Sequence, residues 1–383
     1  MARFGTARAV GVYVVIAVAG CMYGGCQAPT EPPRLETTPV LEDTRPLRVV
    51  MVVLDASGEA AAFASDAGEL AAASMEVAAA HRVIVRDGTV AAGTVSSVDG
   101  GQQVELALDD GYDLGAAGSL GNLRRELRER FPAEREVLIV TGHGRDWRGF
   151  GLRDGAEGAV ISPAELARAL ADPAEESRPI VVVDTPWSAS GELLAPFSDV
   201  EVTMVVAPGP RPSEGIDYRE AFSRLPGEIE SDDTGIARHL AAAMASEGCP
   251  AGIVLTPAEL ALLPATITGL GDAGTSHVVT ATAQEDLQAA LIRESECLAV
   301  PGAAMVEIGS VATLLSHAIN PALIRISLYV TDVDRDGVPA GHRIDYRIES
   351  SGSGLSPEFR ALGWAPDYHA QIGFLYRLWY HQF

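Results

Sequence analysis

Two short apolar runs rich in β-branched residues, Val137–Val140 and Ile180–Val183, constrain this chain more than any other feature. Each has the length of a strand buried on both faces of a parallel sheet, and each stops abruptly in a polar turn. Between them, Ser162–Ala171 carries helical spacing. A strand, a helix and a second strand in that order make one βαβ unit, so the chain reads as α/β. In an open α/β sheet, the residues just past the strand C-termini border the crevice where ligands bind. Here those residues are Gly142, His143 and Gly144 after the first run, and Asp184, Thr185 and Pro186 after the second. The chain therefore sets a histidine at one strand end and no nucleophile at the position expected on its neighbour.

A length of 383 residues makes one large domain or two ordinary ones, and 47% hydrophobic content is ample for a packed core. The net charge of −24 argues strongly against nucleic acid as a partner, because phosphate binding needs clustered cations. All 28 cations are arginine, with no lysine, which fits either a GC-rich genome or an acidic surface adapted to salt. Four cysteines, Cys21, Cys26, Cys249 and Cys297, form neither a disulfide framework nor a CxxC metal motif. A Cys249–Cys297 bridge and two free buried thiols both remain open.

Residues 1–20 hold Arg3 and Arg8 and then an apolar run from Ala9 to Ala19, the length of a signal-peptide core and too short for a spanning helix. The run closes on Val18-Ala19-Gly20-Cys21, which resembles the lipobox of bacterial lipoproteins. That resemblance implies cleavage before Cys21, lipid (palmitate-type) attachment to its thiol, and a membrane-anchored protein of the bacterial cell envelope. An ordinary signal peptide is the alternative, and Cys26 after Gly24-Gly25 is a second lipidation candidate. Residues 21–46, rich in Pro, Thr and Glu, read as a disordered, extended tether. Residues 47–265 then form the main domain, and residues 266–383 pack on it or continue it.

Within the main domain, Arg48–Leu54 reads as a buried strand ending at Asp55, and Ala60–Ala80 as an Ala-rich helix. His81–Arg86 is a strand, and Thr89–Ala107 a β-hairpin. Ser119–Phe131 is an amphipathic helix, capped by Ser119 and ended by Pro132. Val200–Val206 is a strand, Tyr218–Leu225 and Thr234–Ala245 are helices, and Ala251–Leu255 is strand-like. Pro257–Leu270, Gln284–Ile292 and Gly309–Ala318 have helical patterns, and Leu323–Val330 is a strand. Asp332, Asp334 and Asp336 before Gly337 match the first half of a calcium loop, but Arg343 stands where the closing bidentate Glu belongs. A DRDG hairpin turn is the more economical reading, and calcium remains the one cofactor candidate. His81, His239, His277, His317, His369 and His381 show no metal-ligand spacing.

The order of these pieces resembles the clostripain family of cysteine peptidases. Carrying the resemblance are Leu54-Asp55, Phe131-Pro132-Ala133, His143-Gly144-x-x-Trp147-Arg148-Gly149, Ser162-x-x-Glu165-Leu166, and Asp184 with Glu192 eight residues on. It runs clearly from about Arg48 to Ala245 and more loosely through Glu307–Ala318 and Leu362–Leu375. The fold it implies is a caspase-like three-layer α/β sandwich, with a mostly parallel central sheet and a C-terminal accessory region. It further implies a dyad in which His143 is the histidine, Gly144 its neighbour in the turn or oxyanion site, and the nucleophile a cysteine two residues past the strand-end aspartate. With Asp184 and Glu192 setting the register, that position holds Pro186.

Proline has no thiol, no hydroxyl and no backbone N–H, so Pro186 can neither attack a carbonyl nor donate an amide to an oxyanion. The expected function is therefore non-catalytic: a pseudopeptidase that binds a peptide or protein partner, with His143 vestigial. The alternative is an active endopeptidase with a non-standard nucleophile, for which Thr185, Ser188, Cys249 and Cys297 are the candidates. The family's preference for basic residues would need an acidic pocket, which Glu214 or Asp217 could line.

Overall fold

The computed structural model describes residues 44–54, 60–73, 80–86, 94–99, 102–107, 114, 118–142, 149–152, 159–171, 178–185, 188–208, 216–225, 232–245, 251–276, 304–308 and 323–331. Its first half runs β1 (Arg45–Leu54), α1 (Ala60–Ala72), β2 (Ala80–Arg86), β3 (Thr94–Asp99), β4 (Gln102–Ala107), α2 (Ser119–Arg130) and β5 (Ala133–Gly142). A small hairpin, β6 (Phe150–Leu152) with β7 (Ala159–Ile161), precedes α3 (Pro163–Leu170), β8 (Ile180–Asp184) and α4 (Gly191–Leu194). Then come β9 (Thr203–Val206), α5 (Tyr218–Arg224), α6 (Asp233–Ala243), β10 (Ile253–Leu255), α7 (Pro257–Ser276), β11 (Ala304–Glu307) and β12 (Ser327–Thr331).

Eight strands form one sheet in the order β10-β9-β8-β5-β1-β2-β3-β4. The five central strands, β9 to β2, are mutually parallel, and β10, β3 and β4 add antiparallel edges. The apolar runs that lack a polar partner every second residue are the central strands, because helices cover both faces. Residues Val49, Met51, Val137, Ile139, Ile180 and Val182 pack on one face against Ala67 and Leu70 of α1, Phe222 of α5, and Ile236 and Leu240 of α6. Glu136, one residue out of phase with Val137, instead bonds Arg124 of α2, which places α2 on the opposite face. Helix α3 packs on α2, and α7 packs on β10 and α4, filling that second layer. The expected three-layer α/β sandwich with a mostly parallel centre is the observed architecture.

Local boundaries differ from the sequence expectations in instructive ways. Helix α1 stops at Ala72, not at Ala80, and Arg82 of β2 explains the stop. Its Nη1 donates to the carbonyls of Ala71 at 2.9 Å and Ala73 at 2.7 Å, so a cation closes the carbonyl end of the helix. Truncation to Arg82→Ala should lower stability by about 2 kcal/mol in urea titration, with Arg82→Lys recovering part of the loss. Helix α2 is entered through Gly118 at φ +82°, with no side-chain cap, so Ser119 does not take the capping role expected of it. The strand expected over Val200–Val206 shortens to Thr203–Val206, because a 3₁₀ turn at Ala195–Phe197 and the turn after it occupy the approach.

A buried ion triad lies near the N-terminal ends of β1 and β5. Glu136 accepts from Arg48 Nε at 3.1 Å and from Arg48 Nη2 on one carboxylate oxygen. Its other oxygen accepts from Arg124 Nε at 2.9 Å and Nη2 at 2.7 Å. The guanidinium of Arg48 also reaches Phe131 O at 2.8 Å, and that of Arg124 reaches Ala169 O at 2.6 Å. Sheet and second helical layer are thereby cross-linked at the end of the sheet away from the crevice.

Candidate functional site at the strand C-termini

Register brings the three informative strand ends side by side. Leu54 of β1 pairs with Gly142 of β5, and Thr141 of β5 pairs with Asp184 of β8. Positions 55, 143 and 185 thus follow neighbouring strand ends, as the βαβ reading requires. Asp55, His143, Gly144, Pro186 and Glu214 lie outside the described residues, as do Cys21, Cys249, Cys297, Asp332, Asp334 and Asp336. What is described is the set of strand ends from which these positions continue.

Asp184 is the hub of those strand ends. It is 2% exposed, and its Oδ2 accepts from Tyr218 Oη at 2.8 Å and from Thr141 Oγ1 at 3.2 Å. Tyr218 is the first residue of α5, and its backbone N–H donates to Glu69 Oε2 of α1 at 3.2 Å. One carboxylate therefore ties together the ends of β5 and β8 and the start of the helix that follows the loop after β9. Asp217, the other candidate acid within the described residues, caps that same helix by accepting from Glu220 N at 2.8 Å.

The hydroxyls flanking position 186 differ sharply. Ser188 is fully buried; its Oγ donates to Val183 O at 3.0 Å and accepts from Ala207 N at 2.7 Å, stitching the ends of β8 and β9 together. Thr185 is 1% exposed, and its Oγ1 has no hydrogen-bond partner among the described residues. Beyond Ser188, Ala189 N donates to Ala207 O, and Ser327 N of β12 donates to Ala189 O at 2.8 Å, which attaches the antiparallel β11–β12 pair to the segment that follows β8. Ser190 caps α4 through Leu193 N, and Glu192 is buried in its first turn. The described residues on either side of positions 186 and 187 are thus held, on one side through Asp184 and on the other through Ser188.

Two glycines at positive φ flank residues 143–148, Gly142 at +151° and Gly149 at +134°. A Cβ on Gly142 would overlap the carbonyl oxygen of Leu54 and lie 3.0 Å from its carbonyl carbon. Only glycine lets β5 approach β1 this closely while turning into residue 143.

No protein-family model and no curated protein matches the chain. Solved structures do. An inactive zymogen C11 protease from Parabacteroides distasonis is 15% identical, with a TM-score of 0.54 over 87% of this chain and 99% of that one. The fold is caspase-like. A secreted C11 cysteine protease from Bacteroides thetaiotaomicron is also similar, at 15% identity and a TM-score of 0.49 over 64% of this chain and 75% of that one.

The strand ends and Asp184 are legible in the sequence, whereas Thr141 and Tyr218 are not. Tyr218 was visible only as the start of a helix, and its hydroxyl finds Asp184 across 34 residues of sequence. Among the described residues no cluster of His, Cys, Asp or Glu is set to hold a metal ion, and no helix is long and apolar enough to cross a membrane. Of the histidines set aside as structural, His81 packs its ring on Phe131 with centroids 5.7 Å apart, and His239 Nε2 bonds the carbonyl of Ala221 at 2.8 Å.

Proposed function

We propose that this chain is a lipid-anchored pseudopeptidase of the bacterial envelope, which holds a peptide or protein partner at its strand-end crevice without cleaving it. The observation that carries the reading is Pro186, two residues past the strand-end Asp184 in a caspase-like fold. A proline there supplies no attacking atom, whatever the histidine opposite it does. Support also comes from the described residues on either side: Asp184 and Ser188 fix the ends of β8, β5 and β9, as a binding surface requires as much as a catalytic one.

A second reading, an endopeptidase with a replacement nucleophile, now rests on Thr185 more than on Ser188. The Ser188 hydroxyl already donates to one backbone group and accepts from another, whereas that of Thr185 is uncommitted among the described residues.

Hydrolysis of fluorogenic arginyl and lysyl peptides by the full chain, with and without calcium, separates the two. The expected result is no turnover by the wild type, and turnover by Pro186→Cys that a second change, His143→Ala, abolishes. Wild-type turnover that disappears in Thr185→Val would overturn the pseudopeptidase reading in favour of the second.

A further inference from the structure

Helices α2 and α3 pack closely where Gly121 lies beside Ala169: a Cβ on Gly121 would meet the Ala169 Cα at 3.6 Å. That contact borders a cavity of about 160 Å³, and every residue lining it belongs to the described set. A cavity of roughly this size accepts one benzene-sized group. Leu114, Leu120 and Ile161 are buried and form its apolar inner wall, whereas Arg125 and Arg168 are exposed and form its rim. Neither arginine meets a carboxylate. Arg125 Nη1 donates to Asn122 Oδ1 at 3.2 Å, and Arg168 has no ion pair or hydrogen bond among the described residues. The one acid in the lining, Glu165, directs its Oε2 at Ser162 N, 2.9 Å away, and Ser162 Oγ, 2.8 Å away. Two cations against one anion leave the cavity with an uncompensated positive charge. The amide end of α2, entered through Gly118 without a side-chain cap, borders the same space and adds to that potential.

We propose that this cavity binds a monocarboxylate carried on a small aliphatic group, the chemistry shared by a free branched-chain acid and by the C-terminal residue of a peptide. Guanidinium forks match the plane of a carboxylate. A single excess positive charge suits a monoanion, whereas the second charge of a phosphate would be opposed by Glu165. The apolar wall takes the aliphatic body, and the volume admits one such group. The cavity shares no residue with the strand-end crevice, so this site and the pseudopeptidase reading stand or fall separately.

The test titrates the full chain by calorimetry at about 0.05 M NaCl, where screening is weak. Its probes are isocaproate, the peptide acetyl-Ala-Ala-Leu with a free C-terminus, the same peptide as its C-terminal amide, and inorganic phosphate. At least one of the two acids should bind, about tenfold or more tightly than the amide. Binding of isocaproate alone makes the ligand a free acid, binding of the acid peptide alone makes it a peptide C-terminus, and binding of both means that the carboxylate and its aliphatic group suffice. Arg125→Gln and Arg168→Gln should each weaken that binding by about tenfold with an unchanged urea midpoint, because both side chains are exposed. Arg219→Gln removes an equally exposed cation from α5, on the other face of the sheet, and should bind as the wild type does. Equal binding of acid and amide, tighter binding of phosphate than of either acid, or an equal loss in Arg219→Gln overturns the proposal, as does binding of no probe.

Discussion

Glu136→Gln should destabilise the protein by about 3–5 kcal/mol in urea or thermal unfolding, because it leaves Arg48 and Arg124 buried with no counter-charge. Both guanidiniums are 3% exposed and direct most of their donors at this single carboxylate. Neither can swing out to water without opening the seam between α2 and the sheet. Replacing all three residues together, with Leu at 136 and Met at 48 and 124, should recover most of the loss, since an apolar plug of similar volume has no charge to desolvate.

The same triad contributes to the acid sensitivity of the fold. Burial pushes the Glu136 carboxyl upward, but Arg124 and Arg48, through their charge and their hydrogen bonds, outweigh it and bring the pKa down from 4.5 to about 2. A group depressed in the folded state contributes stability that is complete above its unfolded value and disappears as pH falls through the folded one. The window is therefore pH 4.5 down to about 2, and the contribution is on the order of 3 kcal/mol. Unfolding free energy measured across that window should fall more steeply in the wild type than in Glu136→Gln, where position 136 no longer titrates. Equal slopes would mean that other carboxylates dominate acid unfolding.

The triad also shows what the sequence could and could not disclose. Apolar runs without alternation marked β1, β5 and β8 and their parallel pairing, since that pattern arises only where both faces are covered. The same argument truncated β1 and β5 at their polar N-terminal residues. Arg48 and Glu136 look like solvent-facing charges in a linear reading, yet they stand opposite each other across two paired strands, 88 residues apart in the chain. Local signals behaved differently. The Ser162–Glu165 capping box is complete within four residues, and the helix it opens was read correctly. Ser119 satisfied the same compositional rule and failed, because the chain enters α2 through a left-handed Gly118. Strand-end topology singled out His143, but Pro186 acquired meaning only through a family resemblance, since a proline past a strand end carries no chemical signal of its own. The Tyr218–Asp184 bond had no sequence signature at all: it is a product of α5 docking beside β8.

Gly142 is the position where fold and site are least separable, and Gly142→Val should have the second large effect. Two penalties combine there. At φ +151° a β-branched residue is strained, and its Cβ would overlap the Leu54 carbonyl of the paired strand. Together these amount to about 3–5 kcal/mol, or displacement of the β5 end from β1. Displacement is the more informative outcome, because Thr141 precedes Gly142 and donates to Asp184, so a shift there also disturbs the bond pattern around Tyr218. Gly142→Val should therefore lose both equilibrium stability and, when added to Pro186→Cys, turnover of the arginyl and lysyl peptides. In Gly68→Ala, on α1, added bulk meets nothing within 4 Å, and both should be retained. If Gly142→Val kept wild-type stability, the close approach of β5 to β1 would have slack. The turn carrying His143 would then be set by residues beyond the strand end, and the rigid frame argued for the crevice would not hold on that side.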